Sequence, residues 1–231
     1  MKSNKLRRPT PVLLVLVSGM FFCLYGCAMP SWARLTGKQK HSVPGIVAPH
    51  ERISQLREQR KRAAQMPPAA AEQLAAQLTP LCAEEDDPMI RSEIVLTLGA
   101  LGSERARQSL LAAGQDPSSQ VRISVCKAWT SIGDETASSE LARILSSDTD
   151  QQVRHAAAKG LGRVGGPHAV PALGSALEDR DPAMQYLAME SLKQVSGQDY
   201  GHDARLWKQY VQGQTPVREE KSLAQQVRDI F

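Results

Sequence analysis

Strand-like alternation is missing from this chain. No segment runs apolar–polar at period two, so the body is expected to be all α. Cysteine is scarce: of four, Cys23 and Cys27 belong to the N-terminal stretch, and Cys82 and Cys126 are too few for a disulfide framework. Both of these sit in apolar helical patterns, where a lone cysteine packs as a small hydrophobe; a single Cys82–Cys126 bridge would have to join non-adjacent segments. No apolar run reaches the roughly 20 residues of a membrane-spanning helix. The longest, PVLLVLVSGMFFCLY, has 15. An excess of one charge is also missing from the body. The net charge is +4, and Lys2, Lys5, Arg7 and Arg8 account for it; without them 24 bases face 24 acids. A neutral body argues against nonspecific nucleic-acid binding, which needs many Lys and Arg on one face.

Recognisable chemistry is equally thin. The five histidines, His41, His50, His155, His168 and His202, have no second His, Cys or acid at a metal-binding spacing. No Gly-rich loop follows a strand, and no serine sits in a nucleophile elbow. The acid pairs Glu84–Glu85, Asp86–Asp87 and Glu219–Glu220 fall at helix starts or in the tail, where capping and solubility explain them. No catalytic residue, metal or cofactor is expected.

What is present is repetition. DPSSQVRISVCKAWTSIG, from Asp116, begins again 32 residues later as DTDQQVRHAAAKGLGRVG, from Asp148. Val121–Arg122 falls on Val153–Arg154, Trp129 on Leu161, and Ile132–Gly133 on Val164–Gly165. A fixed period of about 30–45 residues marks a stacked solenoid. Each unit has a first helix with apolar residues at helical spacing (Val121, Val125, Ala128, Ile132). A Gly-containing turn follows (Gly102, Gly133, Gly165), then a second helix (Leu141, Ile144, Leu145). One such hairpin cannot cover its own apolar face; a row of them can. The expected fold is a short right-handed α-solenoid of stacked helical hairpins.

The units resemble HEAT repeats, in particular the HEAT-like type named after phycobilisome lyases. An acid six residues before a base recurs as Glu85/Arg91, Asp116/Arg122 and Asp148/Arg154; the fourth unit has Asp179 but Gln185 in place of the base. The resemblance implies that these residues form a ladder linking the turns of successive units. The acid is expected to cap its helix, and the Arg fork to bond that carboxylate or the next unit's carbonyls. The lyases also supply the alternative function, an enzyme or enzyme subunit with a chromophore pocket. The di-iron HEAT-like hydroxylases use several His-Glu pairs; this chain has one, His50–Glu51.

The organisation follows. Residues 1–26 have a basic start and the apolar run, and LYGC at 24–27 resembles a bacterial lipobox. The resemblance implies cleavage and lipidation at Cys27; an uncleaved anchor is the alternative. Either places the body outside the cytoplasm, held to a membrane; for the lipidated form, Ala28 implies the periplasmic side of the outer membrane or the cell surface. Residues 27–49 are a tether and 50–84 an N-terminal capping hairpin whose basic strip (Arg52, Arg57, Arg60, Lys61, Arg62) faces lipid head groups or solvent. The HEAT-like units fill 85–195. A capping helix follows at 196–212, where Tyr200, Leu206, Trp207 and Tyr210 either plug the stack or form a docking patch. Residues 213–231, ending in Phe231, should be an amphipathic tail. The expected role is a non-catalytic interaction or scaffolding module. The partner surface is expected on the second helices, at Arg105, Arg107, Gln108, Glu135, Ser138, Arg143, His168 and Ser175, with Trp207, Tyr210 and Phe231. These mixed signs suit an unidentified protein or peptide, not nucleic acid; the membrane would be engaged through the N-terminal lipid.

Overall fold

A computed structural model describes residues 48–216. Cys27 and Phe231 lie outside the described residues, as do the leader and most of the tether and tail. Within them the chain is helical throughout: α1 Pro49–Ala63, α2 Pro68–Glu84, α3 Pro88–Leu101, α4 Glu104–Ala113, α5 Ser119–Ile132, α6 Glu135–Ser147, α7 Gln151–Val164, α8 Ala169–Ala176, α9 Pro182–Ser196 and α10 Ala204–Val211. The odd helices α1, α3, α5, α7 and α9 pack on one another in chain order, while α2 packs on α4, α6 on α8, and α8 on α10. The result is a short two-layered row of helical hairpins, a solenoid. The last helix, α10, packs on α8 and α9 and so completes a fifth hairpin.

The apolar pattern sets this layering. Counted from the base of each unit, the same places are filled by core residues. One residue before it stand Ile90, Val121, Val153 and Met184; three after, Ile94, Val125, Ala157 and Ala188; seven after, Leu98, Trp129, Leu161 and Leu192. All twelve are essentially inaccessible to solvent. Spacings of four place them on one stripe of each odd helix. The even helices answer with Leu110, Leu141 and Leu173, also fully buried. Proline at the first turn opens α1, α2, α3 and α9, and left-handed Gly102, Gly133 and Gly197 end α3, α5 and α9.

Small residues decide how closely the odd helices approach. A Cβ at Gly99 of α3 would lie 2.5 Å from the Cβ and 2.7 Å from the Cα of Ala128 on α5. One at Gly160 of α7 would lie 2.6 Å from Thr130 Oγ1 on α5, and one at Gly162 would lie 2.9 Å from Ser191 Cβ on α9. Each of these three junctions therefore pairs the residue eight after one unit's base position with the residue six after the next unit's. Glycine occupies one side each time: Gly99 against Ala128, Gly160 against Thr130, Gly162 against Ser191.

The charged ladder is present, but it runs differently from the expected pairing. Each Arg bonds the carboxylate of the following unit and the carbonyls of its own turn. Arg91 Nε and Nη2 donate to Asp116 at 2.8 and 2.9 Å, while its Nη1 donates to the carbonyls of Glu85 and Asp86. Arg122 does the same with Asp148, at 2.8 and 2.9 Å, and with the carbonyls of Asp116 and Pro117. Arg154 approaches Asp179 at a longer 3.8 Å. Upstream, Arg52 of α1 pairs with Glu85, a rung that no repeat alignment placed. Gln185 keeps only the inward half of the pattern, donating to Asp179 O at 2.7 Å.

The ladder acids are not the helix caps. Each accepts the backbone N–H two residues on, as Asp116 does from Ser118 and Asp148 from Asp150. Side-chain capping falls to Asp87, Asp150 and Asp181, which accept from the first turns of α3, α7 and α9. The acid thus folds the turn and leaves its outer lone pairs for the preceding unit's Arg.

This arrangement makes stability acid-sensitive. Burial works to raise the Asp116 and Asp148 carboxyls, but the hydrogen bonds from Arg91 and Arg122 and from the turn N–H groups outweigh it and hold both below the ordinary carboxylate range. A folded pKa below the unfolded one means the contribution is complete at neutral pH. It is lost as pH falls below the unfolded value of about 3.9 and on through the folded one. Denaturant melts from pH 7 to pH 2 should therefore show a steep acid limb. D116N/D148N should be less stable at pH 7 and have a shallower limb; parallel limbs would remove the ladder from this account.

Candidate interaction surface

The second helices present the expected partner residues, and most of their charges are already engaged. Arg105 of α4 pairs with Glu72 of α2 at 3.4 Å, and Arg143 pairs with Glu140 one turn earlier at 2.9 Å. Arg107 is only partly exposed and pairs with Asp134, the cap of α6. Lys208 of α10 reaches Glu178 beyond α8 at 2.7 Å. Gln108, Glu135, His168 and Ser175 are exposed, as expected.

Two expected surface residues are core residues. Ser138 is fully buried, because α6 is short of bulk there and the turn after α7 crosses it; its hydroxyl donates to Gly165 O at 2.7 Å. Trp207 is fully buried as well. Its Nε1 donates to Gly201 O at 2.9 Å, Tyr200 packs edge-on at 4.9 Å and Tyr210 at 5.9 Å. An indole with its N–H satisfied and both sides covered is a plug over the last hairpin, not a docking anchor. Tyr210 stays partly exposed at its rim.

The basic strip of α1 also turns inward. Arg57 donates to Glu93 Oε1 at 2.9 and 2.7 Å, and Arg60 to Oε2 at 3.0 Å. Glu93 is buried on α3, so two guanidinium groups are what make its burial tolerable. With Arg52 on Glu85, three of the strip's five bases clamp α1 to the next unit.

Besides a smaller recess of about 290 Å³ beside the ladder residues Asp116, Arg122 and Asp148, two larger clefts open on the array. One, of about 430 Å³, lies between α2 and α4 and is mostly apolar, with Cys82, Ala83, Ala112 and Ala113 in its wall. Its polar groups are matched to each other: Thr79 and Ser109 hydroxyls meet at 2.6 Å, and Arg91 and Asp116 close one end. Burial, and then the Asp116 charge, push the Cys82 thiol up to about 11, so it is no thiolate nucleophile at neutral pH. Cys126 is buried elsewhere, with its thiol pushed up to about 12, chiefly by burial; both cysteines are free. The second cleft, of about 450 Å³, lies on the opposite layer, between α5 and α7. Lys127, Lys159 and Arg163 stand on its rim, and among the described residues no acid lines it. Among the described residues none of these three has an ion-pair partner, whereas His155 at one end bonds Asp181 at 3.1 Å. Sequence reasoning placed the partner surface on the other layer and missed this cleft. The signal was available: the 32-residue shift sets Lys127 on Lys159, and His155, Lys159 and Arg163 follow one another at turns of one helix.

The family model for HEAT repeats matches residues 58–130, 75–158 and 138–205, which together take in the whole of α2 to α9, the second part of α1 and the first residues of α10. The chain belongs to the HEAT-repeat family. No curated protein matches it. HEAT repeats point to a protein-interaction or scaffolding module, and a stack of hairpins supplies the extended surface such a role needs. In this HEAT array the ladder and the junction glycines serve stacking, and open clefts lie on both layers. Among the described residues no three His, Cys, Asp or Glu groups come together as metal ligands.

Proposed function

We propose that this HEAT protein is a non-catalytic, membrane-anchored scaffold of the bacterial cell envelope, exported and lipidated at Cys27, whose array holds a protein or peptide partner. One observation carries the interaction part. The buried and paired polar groups of the array serve the contacts between hairpins, and cations are left unpaired beside an open cleft. The export part rests on the leader, with its basic start, its 15-residue apolar run and the Gly26–Cys27 end.

Proximity labelling in the native cell tests both parts. The wild-type chain should sediment with membranes and mark a small set of envelope proteins. Cys27→Ser should move it to the soluble fraction and erase that set. Continued membrane association of Cys27→Ser would count against the lipid. A wild-type pattern no richer than that of the delocalised variant would count against the scaffold.

A further inference from the structure

We infer that the α5–α7 cleft docks an acidic peptide segment of a partner protein, with carboxylates against Lys127, Lys159 and Arg163 and an apolar side chain on the floor between the helices. The inference rests on the interaction role proposed above and goes further by naming the surface and the chemistry of what it holds.

The floor comes from the junction. Gly160 has no side chain because Thr130 of α5 lies where its Cβ would extend, and Ala156 one turn earlier adds only a methyl. With Ile123 across from them, the bottom of the cleft is apolar and low. The rim is long and cationic. Lys127 rises from α5; Lys159 and Arg163 rise from successive turns of α7, about 6 Å apart along the axis. The cleft's own hydroxyls are committed, Thr130 donating to Cys126 O at 2.7 Å and Ser131 to Lys127 O at 3.0 Å. The charged donors for a ligand are the two ammonium groups and the guanidinium fork, with the exposed Gln152 amide as a neutral one, and the excess of positive charge favours carboxylates.

Charge and shape together select the occupant. Elsewhere on the array most bases have acids beside them: Arg57 and Arg60 share Glu93, Arg105 has Glu72, Arg107 has Asp134, and Lys208 has Glu178; Arg62 and Arg180 also lack an ion-pair partner among the described residues, but neither belongs to this cleft. Among the described residues this cleft has no acids of its own, and the ligand supplies them. Duplex DNA presents a phosphate about every 1.7 Å of axis and rewards long basic tracks; three cations around a recess do not make one. A flat lipid surface would meet the rim and leave the floor empty. A peptide side chain fills it, and neighbouring carboxylates then reach the rim.

The test uses the full chain in detergent and a fluorescein-labelled peptide of glutamate and leucine, with its glutamine counterpart as the uncharged probe. Fluorescence anisotropy at low salt should show saturable binding of the glutamate peptide, weakening as salt rises. The glutamine peptide should bind about tenfold more weakly or worse. K159E/R163E should lose about tenfold or more, and Lys127→Glu should lose part of that, with thermal melts by circular dichroism matching the wild type. R62E/R180E changes net charge equally at exposed sites outside the cleft and should bind as the wild type does. No saturable binding, or equal binding by K159E/R163E, overturns the proposal. So does tighter binding of phosphatidylglycerol vesicles or duplex DNA through the same residues. Concentration-dependent self-association abolished by K159E/R163E would assign the cleft to a second copy and overturn it too. If labelled neighbours survive in the cell while the peptide fails, the docking assignment falls and the scaffold role stands.

Discussion

Replacing Trp129 with alanine should lower the thermal midpoint by about 10 °C and divide the unfolding transition in two. Trp129 fills the place that Leu98, Leu161 and Leu192 fill in the other units, and it is the largest of the four and fully buried. Truncating a buried tryptophan costs about 3–5 kcal/mol, from lost burial and from the cavity left behind. In a chain of this size each kcal/mol moves the midpoint by about 2–4 °C. The division follows from position. In a linear array each hairpin is supported only by its neighbours, so weakening the central one uncouples the two sides. Hydrogen exchange should then show protection falling first in α5 and α6, with α3 and α7 following. Leu192→Ala, in the last odd helix, should instead fray α9 and α10 and leave the rest protected. A single transition and uniform loss of protection in Trp129→Ala would argue that the array unfolds as one unit.

Gly99→Leu should be comparably damaging for the opposite reason. Ala128 leaves no room: its Cα, which is backbone, lies 2.7 Å from where the new Cβ must go. Overpacking typically costs about 1–3 kcal/mol, and more when the obstacle cannot rotate away. The smaller Gly99→Ala is the sharper probe. Intrinsic helix propensity favours alanine over glycine by about 1 kcal/mol, so an exposed helical site would gain stability. Here the melt should show a loss. Combining it with Ala128→Gly should return part of that loss, since the nearer of the two obstacles is the Ala128 Cβ. A higher midpoint for Gly99→Ala would mean the two helices are not in such close contact.

The legibility of this chain was uneven, in a way that physics explains. The stacking was readable because it is a property of the period. A shift of 32 residues aligns apolar stripes, turn glycines and ladder residues together, and nothing but packing produces that. The partners of the ladder were harder. The six-residue separation of acid and base suggests a bond within the unit, yet the folded turn aims each Arg fork outward at the next carboxylate. Arg52 lay beyond the repeat and was read as part of a surface strip. Ser138 was misplaced because its polarity looks like a surface feature, while the aromatic cluster around Trp207 read equally as a plug or a docking patch, and burial makes Trp207 the plug. Burial becomes sensible only once Gly165 O and Gly201 O are seen to accept from them. The α5–α7 cleft depends on a relation between two helices, and its rim was hidden among residues sorted by helix. Only the shift that superposes Lys127 on Lys159 would have raised it.

The direction of the ladder has one more consequence. Every guanidinium reaches forward, so the row has polarity, like a file of people each with a hand on the next one's shoulder. Arg52 starts it, and Gln185 ends it by folding a short amide back onto its own turn, with nothing extended toward a successor. Beyond it Trp207 and its neighbouring rings seal the final hairpin. Among the described residues the row thus stops where a hand is missing and a seal is in place, and arginine at 185 would open that end to a further unit only if the seal were also taken away.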